Sequence, residues 1–173
     1  MDLRGRERGD AAGLKRYRIP DIELRISLES LEQLARGRVY GGMHLQLDDA
    51  KFPSEDWTDF VAVVLSFWCD GLAKTFAEPE QPVEVRFMEG PFVVRLGPIT
   101  NSKMRVSLID SGSSSAATDS AEVFLEALMS NALKVTRAVI DECRARAFSS
   151  TDIEQLAASR ELLARAYGAA ALN

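Results

Sequence analysis

At 173 residues, 46% of them hydrophobic and 27% charged, the chain is long enough for one ordinary soluble domain that buries a core without covalent staples. Its two cysteines, Cys69 and Cys143, are too few for a disulfide framework, and its longest charge-free run in the most apolar segment, Phe60 to Cys69, is about half of a bilayer crossing. The net charge of −5 is uneven: residues 1–21 hold six basic and four acidic side chains, which leaves the remaining 152 at −7, a balance that disfavours nucleic acid and anionic membranes and suits a basic macromolecular partner.

Residues 1–18 have three glycines, many charges and no apolar period, and read as a flexible tail. Acidic residues interrupt their basic charge and no aromatic platform accompanies it, which argues against a nucleic-acid arm. The arginines lack the apolar run and cleavage site of a secretory signal, so the expected location is the cytoplasm. A single α+β domain is expected over 19–173. Ile22, Leu24, Ile26 and Leu28 alternate with polar residues, as in a strand with one buried face. Ser30 with Gln33 makes a capping-box pattern for a short helix through Leu31, Leu34 and Ala35 that stops at Gly37. Val39, Met43, Leu45 and Leu47 predict a second strand, with a bulge or bend at Gly41 and Gly42.

The segment 52–77, FPSEDWTDFVAVVLSFWCDGLAKTFA, carries both tryptophans and reads as the spine of the core. Ser54 suits the N-cap, and Glu55 and Asp56 suit the positive end of a helix dipole. At 100° per residue a polar strip through Glu55, Asp56, Asp59, Ser66, Asp70 and Lys74 faces an apolar arc about 200° wide that includes Trp57 and Trp68. Pro79 and Pro82 end the helix. Three alternating segments then predict a meander: Val83 to Phe87, Phe92 to Leu96 and Met104 to Leu108, with a tight connection at Glu89-Gly90-Pro91. Residues 110–118, DSGSSSAAT, read as a flexible loop. Asp119 with Glu122 suggests a capping box for a helix running from Phe124 to about Ala147. Thr151 with Glu154 opens a last helix that Gly168 ends. The expected architecture is α+β, with one antiparallel sheet of about five strands packed on a long central helix and two C-terminal helices.

No constellation for catalysis stands out. His44 is the only histidine, points away from the apolar face and has no visible orienting partner; no zinc spacing, dinucleotide glycine pattern or phosphate loop is present. No enzyme activity, cofactor or metal is therefore expected. The segment FPSEDWTDFVAVVLSFW, followed by VRFMEGPFVVRL, resembles small bacterial immunity proteins, including those paired with contact-dependent growth inhibition and other polymorphic toxins. The likeness covers roughly residues 39–109 and is carried by Trp57, Asp59, Trp68, Phe87, Glu89, Gly90 and Pro91.

The resemblance implies a cytoplasmic protein that binds and neutralises a cognate toxin domain by stoichiometric occlusion. Asp48, Asp49, Glu55, Asp56, Asp59 and Glu89 form the candidate toxin-binding acidic surface, on the expectation that the strand end, the helix start and the meander turn share an edge. A basic, nuclease-like toxin domain would be steered to such a surface. The alternative is a homodimeric acidic secretion chaperone or adaptor, which would hold an extended segment of an exported effector rather than a folded toxin.

Overall fold

The computed structural model describes residues 18–112 and 119–170. The predicted N-terminal tail, save Arg18, and residues 113–118 of the predicted serine-rich loop lie outside the described residues. The fold is α+β, with two antiparallel sheets of five and four strands and three helices among the described residues. The expected single sheet is thus corrected to two.

The first sheet is built on β3 (Val39–Leu47), whose odd-numbered residues are buried and even-numbered ones half-exposed throughout. β1 (Ile22–Ile26) and β4 (Ala50–Phe52) both pair with residues 45–47 and therefore lie on opposite edges of β3. Two-residue strands β2 (Glu32–Gln33) and β5 (Thr58–Asp59) pair with its first half. Gly41 and Gly42 make no bulge. They permit close approach instead, since a Cβ on Gly41 would stand 2.8 Å from the Leu31 side chain.

The short helix predicted from Ser30 does not form. Ser30 Oγ donates to the Ser27 carbonyl at 2.7 Å and accepts from the Gly42 N–H at 2.8 Å, so the hydroxyl ties a turn to β3 rather than capping a helix. Leu31 is buried while Leu34 is 40% exposed, and without a continuous apolar face the segment folds as two 3-10 turns, Leu28–Ser30 and Ala35–Gly37, around β2.

The spine helix α1 spans Val61–Ala77 and begins well after Ser54. A serine cap stabilises by about 1 kcal/mol. Against it stand four edge-to-face contacts that hold Phe52 and Trp57 on Phe87 and Phe92, with ring centroids 5.0 to 6.5 Å apart, each worth about 0.5–1.5 kcal/mol beyond buried area. The aromatic cluster wins, and residues 50–59 form β4, a loop and β5. Within α1, Ser66 of the predicted polar strip is buried and donates to the Ala62 carbonyl, while Phe67 of the apolar arc is 39% exposed.

The second sheet is a meander in the order β6 (Val83–Arg86), β7 (Phe92–Thr100), β8 (Lys103–Asp110) and β9 (Asp119–Phe124). β9 replaces the predicted first turn of a helix. Its Ala121 and Val123 face Val106 and Met104 across the ladder, and Ser120 Oγ meets Ser107 Oγ at 3.1 Å. Six cross-strand pairs outweigh the Asp119 and Glu122 capping pattern, so α2 starts at Leu125 and runs to Ala145. α3 (Thr151–Ala170) continues through Gly168, where the predicted stop fails. α1 packs against α3, α2, β3, β6 and β7, and residues of both sheets and all three helices join one buried apolar cluster.

Candidate functional site

Helical spacing places Asp59 on the surface, and the structure corrects this: the residue is fully buried. Its carboxylate accepts from the Phe60 N–H at 2.7 Å, the Met88 N–H at 2.9 Å, the Glu89 N–H at 3.3 Å and the Trp57 indole N–H at 3.2 Å. Those donors come from the start of α1, the loop before it and the connection between β6 and β7. One side chain therefore pins two loops that are 30 residues apart in sequence. Gly90 is required at this junction, because a Cβ there would stand 2.8 Å from the Phe92 ring and 2.9 Å from Trp57. Trp57, Asp59, Phe87, Glu89 and Gly90, five of the residues on which the family resemblance rests, are thus assembled around one carboxylate. Trp68 stands apart, fully buried in α1.

Glu55, Asp56 and Glu89 are exposed on the two pinned loops. Glu55 pairs with Lys51, and the hydrogen bond and charge of that ammonium hold its carboxyl below the usual range. Asp48 and Asp49 lie at the β3–β4 turn, separated from Glu55 by Pro53, Ser54 and the three residues of β4, the strand alone spanning about 10 Å. Asp48, with φ of 48°, is occupied locally: its Oδ1 accepts from the Asp21 N–H at 2.9 Å and its own N–H donates to the Asp21 carbonyl at 2.9 Å. The turn flanks a cleft of about 410 Å³ also lined by Arg18, Glu23 and Arg25, whose charges pair with one another and with Asp21. The candidate set therefore divides into Glu89, whose amide binds the buried Asp59, Glu55 and Asp56 on the loop before β5, with Glu55 turned to Lys51, and the exposed pair Asp48 and Asp49 at the far end of β4.

His44 projects from the outer face of β3. Partial burial and the nearby Lys51 and Arg25 charges lower its pKa, with Glu55 opposing them. Among the described residues no group of three or more His, Cys, Asp and Glu side chains is placed to hold a metal ion. Both thiols are free and fully buried. Burial pushes Cys69 up to about 11, only partly offset by its 3.5 Å contact with the Thr136 hydroxyl, and burial raises Cys143 as well. A thiol held neutral and away from solvent is a poor nucleophile. Neither cysteine should react with a disulfide reagent in the folded protein at about pH 8, and both should react on unfolding. Rapid labelling of Cys69 in the native state would contradict its placement.

Sequence reasoning finds the carboxylates but misses the anchor. The available signal is an acidic residue directly before a long apolar helix, flanked by Trp57 and Phe60, a setting too dry for a surface charge. No helix among the described residues is long and apolar enough to cross a membrane. No protein-family model, curated protein or solved structure matches the chain.

Proposed function

We propose that this protein is a cytoplasmic immunity protein that binds a cognate bacterial toxin domain and blocks it by stoichiometric occlusion. The observation that supports the proposal is that Glu55, Asp56 and Glu89 are exposed on two loops that the buried Asp59 holds together. Binding loses free energy whenever flexible side chains and loops must be ordered, so carboxylates carried on loops already pinned from beneath suit a tight, rigid partner. In this reading α1 is the central scaffold that sets the edge against the two sheets. Met88, 48% exposed and adjacent to Glu89 in the chain, offers an apolar contact on the same loop. No catalytic step is required. The toxin loses access to its substrate because its own basic groove is covered.

The reading sets the mutational test. Charge reversal at Asp56 and Glu89, both exposed, leaves Asp59 and the aromatic cluster intact. Asp56→Lys with Glu89→Lys should slow association with the toxin domain encoded beside its gene by about tenfold or more at low salt. The difference should shrink as ionic strength rises, with an unchanged melting temperature. An association rate equal to wild type at every ionic strength would move the binding surface elsewhere.

A further inference from the structure

We propose that the outer edge of β6 is a self-association site, at which a second copy of this chain adds its own β6 antiparallel, joining the two four-stranded sheets into one. β6 ends the order of the second sheet, and among the described residues it pairs only with β7. The Phe87 N–H donates to the Phe92 carbonyl at 3.0 Å, which fixes the alternation of the ladder: Val83 and Val85 bond inward to β7, and the N–H and C=O groups of Glu84 and Arg86 point outward. The outer edge of β1 is treated differently. Its outward Leu24 N–H is capped by Asn131 Oδ1 of α2 at 2.7 Å, whereas among the described residues no such side chain covers β6.

The sequence of β6, Val-Glu-Val-Arg, is self-complementary about Val85. A two-fold axis there places Glu84 opposite Arg86 of the second copy and Arg86 opposite its Glu84. Those are the same residues whose backbone groups point outward, so one register satisfies all four backbone bonds and both charge pairs. Glu84 already gathers cations on this face, with Arg95 at 2.8 Å and Arg86 at 3.0 Å. A groove of about 320 Å³ runs beside the edge, lined by Phe67, Gly71 and Val83, and its half-exposed Phe67 ring offers the second copy an apolar seat. β9, at the other end of the sheet, carries Asp119 and Glu122 and no basic residue, so it offers no complementary charge pair to a second copy of itself.

This inference does not rest on the proposed toxin partner. The test is sedimentation of the full chain alone, as wild type, Arg86→Glu, Glu84→Arg and an equal mixture of the two variants. Wild type should pass from monomer to dimer with concentration, and each variant should self-associate about tenfold or more weakly. The mixture should regain the dimer, because the Arg86→Glu chain then carries two glutamates on its edge and the Glu84→Arg chain facing it carries two arginines. Both positions are exposed, and thermal melts verify folding. A wild type that stays monomeric up to about 1 mM, a variant that dimerises as wild type does, or a mixture no more associated than its components would overturn the proposal.

Discussion

Asp59→Ala is expected to cost about 4 kcal/mol of folding stability, the largest effect of any acidic substitution in the chain. Removing the carboxylate strands the Phe60, Met88 and Glu89 amides and the Trp57 indole N–H in a buried site. An unsatisfied buried donor costs about 1–3 kcal/mol, and partial rehydration of the Met88 and Glu89 amides limits the sum. For a domain of this size each kcal/mol moves the melting temperature by about 2–4 °C, so a drop of about 8–16 °C is expected. Asp59→Asn should fall between, because its amide retains one acceptor oxygen but turns two donors toward groups that also donate. A melting temperature for Asp59→Ala within about 2 °C of wild type would refute the anchoring role, at a scale of less than 1 kcal/mol.

Trp68→Ala should cost about 3–5 kcal/mol, since the indole is fully buried on α1 and its removal leaves a large cavity. The phenylalanine variant is the sharper probe. Trp68 Nε1 has no hydrogen-bond partner among the described residues, so Trp68→Phe removes an unsatisfied donor along with some volume. The two effects oppose each other at about 1 kcal/mol or more each, and the net change should stay within about 1 kcal/mol of wild type. Equal losses for the alanine and phenylalanine variants in chemical denaturation would show that the indole N–H contributes a bond.

The elements legible in the sequence are those whose pattern coincides with their burial. β1 as far as Ile26, β3 and the three strands of the meander lie where their alternation places them, save that Val93 of β7 is buried on the opposite face beside Val94 and Leu28 turns out of β1. The misread elements are those where a local signal competes with a distant one. Ser54 and Ser30 both look like helix caps, but the first is overruled by rings that arrive from residues 87 and 92 and the second by the Gly42 amide. Asp119 with Glu122 is overruled by the unfilled edge of β8. The same competition hides the anchor: helical spacing from Ser54 puts Asp59 on a wet face, whereas the observed β5 turns it inward beneath Trp57. Single-residue periodicity carries no information about partners some 30 positions away, and every one of these errors has such a partner or a neighbouring strand as its cause.

In the proposed function, the exposed carboxylates on the loops held by Asp59 occlude a folded toxin domain. Co-expression of the chain with candidate toxin domains encoded near its gene checks this occlusion by growth protection together with the composition of the purified complex. Wild type should restore growth and co-purify with a folded toxin domain at one fixed ratio, and Asp56→Lys with Glu89→Lys should weaken both. A chain that neither binds nor protects, yet keeps an exported effector soluble in an unfolded state, would overturn occlusion and make the protein a secretion chaperone instead.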